Sequence, residues 1–210
     1  MKALTAYIAN LNKIIVRQIL CIDTNIAGVT NDSRMAAKDF IFVAIAGAAN
    51  DGHQFITTAI KHGATTVIHT SPLSAYSPGI NYLQVSDAYY AYALAMECFL
   101  DFPADGLSLH GITGTKGKTT TAFILEKILT AAEKHCGLIS TVKYYDGKIE
   151  QSASRTTPSA GELITLFRKM KDNHCSDAVM EVSSHGLAQH RPGSAKFQTA
   201  IFTNLSGDHL

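Results

Sequence analysis

The sequence predicts an α/β protein with a small N-terminal α/β module and a second, mostly parallel sheet built around a phosphate-binding loop. Three observations carry this expectation. Short apolar runs alternate with helix-period segments along the 210 residues, the rhythm of a parallel sheet covered on both faces. The stretch Leu107 to Thr121, LSLHGITGTKGKTTT, reads as strand, glycine-rich loop, then helix. Between the two halves, Asp101 to Gly106 (DFPADG) breaks the pattern with Pro103 and Gly106, which places a boundary between domains 1–101 and 102–210.

Taken in order, MKALTAYIANLNKIIVRQI at the N-terminus reads as one amphipathic helix, and Gly28 to Arg34 (GVTNDSR) as a turn with a polar tip. Phe40 to Ile45 (FIFVAI) is a buried strand by its continuous apolar run. Gly47 to Gly52 is a loop, and Phe55 to His62 a helix stopped at Gly63. Thr65 to Ile68 and Tyr82 to Val85 are further strands, separated by the proline-bearing loop Ser71 to Gly79. Ser86 is placed to cap a helix running to about Leu100.

The second half repeats the rhythm. A strand through Leu107, Leu109 and Ile112 precedes a helix over Thr119 to Ala132 and a strand over Gly137 to Val142. Asp146-Gly147 signals a hairpin turn. Ser159 and Glu162 form a candidate capping box, with Pro158 suited to the start of a helix ending near Lys171. Ala178 to Val182 and Thr199 to Thr203 complete the strands.

Composition narrows the class. The chain is 46% hydrophobic and 17% charged, so a buried core is expected. A net charge of +1, from 18 basic and 17 acidic residues, gives no reason to expect a nucleic-acid partner. No apolar run approaches the roughly 18 residues of a membrane span, and the N-terminus lacks a signal-peptide core. Cys21, Cys98, Cys136 and Cys175 are dispersed without a CxxC pair. They read as small buried hydrophobes in a reducing cytoplasm.

The chemistry gathers on the loop. Gly111, Gly114 and Gly117 alternate with Thr115, Lys116, Lys118, Thr119 and Thr120. Glycines let backbone N–H groups turn inward around an anion, and the helix N-terminus adds its positive end. Lys118 is placed to reach terminal phosphates, and the Thr119 hydroxyl to sit on Mg²⁺. The general P-loop has glycine five residues before the glycine of Gly-Lys-Thr; here that position is Ile112, so the loop is a variant.

Ligands of open α/β sheets bind at the carboxyl ends of strands. Glu181 ends AVMEV, His185 follows in SSHG, and Asn204 to His209 (NLSGDH) follows AIFT. Glu181 is the best Mg²⁺ candidate, against a reading as a helix-capping or salt-bridged surface glutamate. His209 is a metal or phosphate ligand or an unremarkable histidine. SRTTP (154–158) has the hydroxyls for an anion, while Gln189 and Arg191 default to a solvated loop. From the residues alone this is an ATP-dependent enzyme, with phosphoryl transfer and simple ATP hydrolysis equally open.

Five segments resemble the Mur ligases, and within them the MurE-type branch that adds the third amino acid to UDP-N-acetylmuramoyl-L-Ala-D-Glu. They are DSRMAAKDFIFVAIAG (32–47) with DGHQFITTAIKHGA (51–64), GITGTKGKTTT (111–121), SRTTPS (154–159), MEVSSHGLAQHR (180–191) and TNLSGDHL (203–210). The resemblance implies an N-terminal UDP-binding domain, then a P-loop ATPase domain that is incomplete here. It implies a cytoplasmic, monomeric enzyme of peptidoglycan precursor synthesis, using ATP and Mg²⁺. Its partners would be UDP-MurNAc-dipeptide and a diamino acid, lysine or diaminopimelate, with no nucleic acid and no membrane.

By the same resemblance, Gly114, Thr115, Lys116, Gly117, Lys118, Thr119 and Thr120 bind the ATP phosphates. Thr119, Glu181 and His209 ligate metal, and Lys118, Glu181 and His209 are the catalytic set. Ser33, Ala48, Ala49 and Asn50 fall where the family holds the uridine nucleotide. Thr156, Thr157, Ser183, Gln189 and Arg191 fall where it holds the muramoyl-dipeptide. The family usually has arginine where this chain has Gly207. In relatives the sheet continues past the position of Leu210, with a carbamylated lysine and a third domain, so the chain reads as the N-terminal part of a longer enzyme, inactive alone. A non-catalytic nucleotide-binding module is the competing reading. A GTPase is disfavoured because no NKxD element is present, and a kinase because it leaves MEVSSHG unexplained.

Overall fold

The computed structural model describes residues 1–47 and 50–206, and the chain divides into two compact units, Met1–Asp101 and Phe102–Leu210. The first runs β1 (Lys2–Ala3), α1 (Leu4–Leu11), β2 (Ile15–Ile19), β3 (Asn25–Ile26), β4 (Gly28–Thr30), β5 (Phe40–Val43), α2 (Ile56–Lys61), β6 (Thr66–His69), β7 (Asn81–Val85) and α3 (Ala88–Phe99). Its main sheet has the order β2-β7-β6-β5-β4, parallel except for the antiparallel β2 edge. β1 and β3 form a separate antiparallel pair. On one face Phe42, Val67 and Tyr82 pack against Ile56 and Ala59 of α2. α3 covers β4, β5 and β6, with α1 packed on it.

Three expectations for this unit need correction. The N-terminal helix stops at Leu11, and Ile15–Ile19 is strand β2. The β-branched run of Ile14, Ile15, Val16 and Ile19 fits either period in isolation, but an antiparallel register on β7 satisfies its backbone. Gly28 to Arg34 is not one turn: β4 joins the sheet beside β5, and a 3₁₀ turn follows at Ser33–Met35. Helix α3 is capped by Asp87, whose side chain accepts from the Tyr90 N–H at 2.9 Å, rather than by Ser86.

The second unit runs β8 (Ser108–Thr113), α4 (Lys118–Ala131), β9 (Cys136–Ile139), β10 (Lys143–Tyr145), β11 (Glu150–Ser152), α5 (Ala160–Asp172), β12 (Asp177–Glu181), α6 (Ser184–Ala188) and β13 (Phe197–Phe202). The sheet order is β11-β10-β9-β12-β8-β13, with β9, β12, β8 and β13 parallel and the β10–β11 hairpin antiparallel at one edge. The hairpin turns at Asp146-Gly147, where Asp146 Oδ1 accepts from the N–H groups of Lys148 and Ile149 at 3.0 and 2.7 Å. Alternate strand residues face opposite cores. Leu109, Ile139 and Met180 pack on α5 through Leu163, Phe167 and Met170. Ile112, Leu138 and Val179 pack on α4 through Ala122, Leu125 and Leu129.

The α/β architecture with parallel-rich sheets is therefore observed. The capping box is not: Ser159 occupies the N-cap of α5 without a side-chain cap bond, and Glu162 instead accepts from Ser154 Oγ at 3.5 Å. Cys98, Cys136 and Cys175 are buried, but Cys21 is exposed. Burial pushes the Cys136 and Cys175 thiols up to about 12 and about 11, so both stay protonated and unreactive near neutrality. Among the described residues, no helix is long and apolar enough to cross a membrane.

Candidate nucleotide and cation site

Four parallel strands deliver the site at their carboxyl ends. β8 ends at Thr113 and leads into Gly114, β12 ends at Glu181, β13 is followed by Thr203, and Ser140 and Thr141 follow β9. The loop from Gly114 to Gly117 then enters α4 at Lys118, with Gly117 at the N-cap. Helix geometry leaves the first N–H groups of α4 without intrahelical acceptors, and they face the loop.

Two glycines have backbone reasons to be there. Gly114 has φ +129°, and a Cβ on it would stand 2.2 Å from Thr203 Oγ1 and 2.9 Å from the Asn204 carbonyl oxygen. Gly117 has φ +83° with open space around it, so only its backbone conformation demands glycine. The close approach at Gly114 is part of a lacing. Asn204 accepts from the Thr115 and Lys116 N–H groups at 3.0 and 3.1 Å, and its own amide donates to the Lys116 carbonyl at 3.0 Å. Thr203 Oγ1 donates to the same carbonyl at 2.7 Å, and Thr115 Oγ1 to the Ser206 carbonyl at 3.0 Å. Lys118 Nζ folds back on the loop, donating to the Gly114 and Thr115 carbonyls at 2.6 and 3.1 Å.

Glu181 is wholly buried. Its carboxylate accepts from Thr119 Oγ1 at 3.0 Å, from the Thr141 N–H at 2.9 Å and from Thr141 Oγ1 at 3.2 Å. Among the described residues it makes no ion pair. A buried carboxylate held only by neutral donors, beside a hydroxyl at a helix N-terminus, suits a hard cation. Among the described residues the candidate ligand atoms, Thr119 Oγ1 and the Glu181 carboxylate oxygens, are all oxygen, the chemistry of Mg²⁺ rather than of a softer metal. Thr119 can donate its proton to Glu181 while offering a lone pair to the ion. The residues fit the group.

The second cluster lies alongside. Thr157 Oγ1 donates to the Glu181 carbonyl at 3.0 Å and accepts from the Ser183 N–H at 2.9 Å. Ser183 Oγ caps α6 by accepting from the Gly186 N–H at 3.0 Å. Arg191, expected in a solvated loop, is buried. Its Nη1 donates to the Thr157 carbonyl at 2.6 Å, and Nε and Nη2 donate to Gln189 Oε1 at 3.1 and 2.8 Å.

A cleft of about 320 Å³ is lined by Gly114, Thr115 and Lys118 together with Thr156 and Ser183. A second cavity, of about 500 Å³, is lined by Arg155, Thr156, Thr157, Ser183, His185 and Arg191. Thr156 and Ser183 line both. Thr120 follows Thr119 in the first turn of α4.

In the first unit, Ser33 is buried in the 3₁₀ turn, and its carbonyl accepts a hydrogen bond from His62 Nδ1 at 2.8 Å. Asn50 is exposed, and its carbonyl accepts from the Gly47 N–H at 3.0 Å. On either side of Ser33, the Arg34 guanidinium and N–H hold the pKa of the Asp32 carboxyl down at about 2. Ala48, Ala49, Gly207 and His209 lie outside the described residues.

Sequence reasoning missed Thr141. The available signal was a hydroxyl residue two positions past a strand's carboxyl end, close to the rule that singled out Glu181. It also missed that Thr203 and Asn204 lace the phosphate loop.

Residues 112–210 match the Mur ligase middle domain, and residues 25–93 match a second model described as Mur ligase family, catalytic domain. The chain belongs to the Mur ligase family. Among its relatives, the UDP-N-acetylmuramoyl-L-alanyl-D-glutamate–2,6-diaminopimelate ligase of Alkaliphilus metalliredigens is 38% identical over 186 residues, 89% of this chain and 37% of that protein. The protein of the same name from Chlorobium phaeobacteroides is 42% identical over 183 residues, covering 87% and 36%. That of Clostridioides difficile is 38% identical over 203 residues, covering 97% and 41%.

The Mur ligase chain thus spans about two-fifths of the length of these relatives. A solved structure of a UDP-N-acetylmuramoyl-L-alanyl-D-glutamate–2,6-diaminopimelate ligase superposes with a TM-score of 0.71 at 24% identity, over 91% of this chain and 40% of that one. A MurF structure from Acinetobacter baumannii gives 0.57 at 20% identity, over 98% and 41%. Both show the same fold.

Proposed function

We propose that this chain forms the UDP-binding and ATP-binding parts of a cytoplasmic ligase of peptidoglycan precursor synthesis. That enzyme would join a diamino acid, lysine or diaminopimelate, to the D-Glu carboxylate of UDP-MurNAc-L-Ala-D-Glu. Domain 1–101 would hold the uridine end through Ser33 and the loop of Ala48, Ala49 and Asn50. Domain 102–210 would hold the rest. The observation that carries the reading is the contact between Thr119 and the buried Glu181 at the mouth of the phosphate loop. The names of the relatives support the substrate class.

Residues Gly114 to Thr120 would receive the ATP phosphates, and Thr119, Glu181 and His209 would hold Mg²⁺, which when bound draws charge off the transferred phosphoryl group. A carboxylate is a poor electrophile near neutrality, so phosphorylating it to an acyl phosphate supplies the leaving group that an amine then displaces. Lys118 neutralises charge as the phosphoryl moves, after releasing the Gly114 and Thr115 carbonyls. Thr156, Thr157, Ser183 and Arg191, which line the second cavity, and Gln189, which receives the Arg191 guanidinium, would present the acceptor carboxylate.

The test is to express the enzyme encoded by the complete gene and supply it with UDP-MurNAc-L-Ala-D-Glu, ATP, Mg²⁺ and either lysine or diaminopimelate. Phosphate release with tripeptide formation is expected with one of the amines. No product with either would sink the reading. Binding of nucleotide without turnover would favour the non-catalytic module.

A further inference from the structure

We propose that Thr141 is a positioning residue that couples cation binding at Glu181 to acceptor-substrate binding at Thr156. The inference rests on the reading above, in which Glu181 serves the cation and Thr156 the muramoyl-dipeptide.

Thr141 stands just past the carboxyl end of β9, which lies next to β12 and therefore next to Glu181. Its two contacts with the carboxylate differ in kind. The backbone N–H holds Oε1 at 2.9 Å and sets the plane of the carboxylate. The hydroxyl lies 3.2 Å from Oε2 and also 3.1 Å from Thr156 Oγ1. With Thr119 on the far side of Oε2 at 3.0 Å, side-chain hydrogen bonds run unbroken from the phosphate loop to the substrate loop. Thr156 in turn lines both cavities.

A threonine hydroxyl carries one proton. Thr141 therefore donates fully to Glu181 or to Thr156, not to both. A cation that takes the Oε2 lone pair leaves Thr156 Oγ1 as the better acceptor, and the proton turns that way. A substrate oxygen that accepts the proton of Thr156 polarises that hydroxyl, which makes its oxygen a stronger acceptor. The Thr141 proton then turns to Thr156 and leaves Oε2 to the cation. Both events drive the same rotation. Each ligand thus favours the other, and by linkage the effect is reciprocal.

The test is calorimetric titration of the 210-residue chain with Mg²⁺–ADP, with and without saturating UDP-MurNAc-L-Ala-D-Glu, in wild type, Thr141→Ser and Thr141→Val. Wild type and Thr141→Ser are expected to bind Mg²⁺–ADP about five-fold or more tightly when the muramoyl-dipeptide is present, the low end of typical coupling. Thr141→Val should bind each ligand yet show the same affinity with and without the other. Should Thr141→Val fail to fold, Thr141→Ala also removes the hydroxyl and should be equally uncoupled, and coupling retained there overturns the proposal. Coupling retained in the folded valine variant overturns the proposal. So does a wild type that binds both ligands independently, or a serine variant as uncoupled as valine. A wild type that binds neither ligand instead overturns the proposed function, and this inference falls with it.

Discussion

Thr119 Oγ1 donates to Glu181 Oε2 at 3.0 Å, joining the first turn of α4 to the end of β12. Glu181→Gln keeps an oxygen for the Thr141 N–H but removes the charge that a divalent ion needs. The expected outcome is a loss of about 2 kcal/mol of Mg²⁺-dependent nucleotide affinity, roughly 30-fold, with little change in the thermal midpoint. Paired titrations with and without Mg²⁺ measure it, and an unchanged Mg²⁺ dependence would contradict it.

The two loop glycines separate backbone strain from crowding. Gly117→Ala is strained at φ +83° but meets nothing, so it should cost about 1 kcal/mol. Gly114→Ala is strained at φ +129° and also collides with Thr203 and Asn204, so about 3 kcal/mol is expected. Denaturant unfolding of both variants checks the ordering, and equal losses would show that the lacing is not rigid.

Much of this region was legible in the sequence for a physical reason. An apolar run before GKTT leaves few local alternatives to strand, loop and helix, and the strand-end rule singled out Glu181 by residue type. Thr141 was legible only as a hydroxyl near a strand end; its pairing with Glu181 depends on β9 lying beside β12, and chain rhythm does not reveal strand order. Ile15–Ile19 failed differently: its β-branched residues suit a strand, but only the open edge of β7 decides between that and a continued helix. Arg191 is buried because the Thr157 carbonyl and Gln189 receive its guanidinium, partners far from obvious in a loop.

Arg191→Met keeps most of the volume but strips the Thr157 carbonyl of a charged donor. The second unit should lose about 2–3 kcal/mol, and Gln189→Ala, which takes the acceptor from Nε and Nη2 of the buried guanidinium, should cost about 1–3 kcal/mol. Urea unfolding decides, and a methionine variant as stable as wild type would refute the structural role.

His69 provides a pH dependence in the first unit. Burial among Tyr76 and Tyr82 lowers its pKa below the ordinary 6.5, although its bond to the Ser71 carbonyl opposes the shift and the nearby His53 adds to it. The folded state therefore favours the neutral ring. This contribution is complete above pH 6.5 and is lost as pH falls below 6.5 through the folded value. His69→Asn places an amide donor where Nδ1 stands and should flatten that part of the profile. Unfolding midpoints between pH 7.5 and about 4.5 measure it, and an identical slope in the variant would contradict it.

We propose that the loop and Glu181 together hold a magnesium-bound nucleotide. Equilibrium binding of ATP to the wild-type chain, Lys118→Ala and Glu181→Gln, each with and without Mg²⁺, tests it most directly. Saturable, Mg²⁺-dependent binding by wild type, weakened at least tenfold in both variants, is predicted. Absence of binding, or binding indifferent to both substitutions, would contradict it.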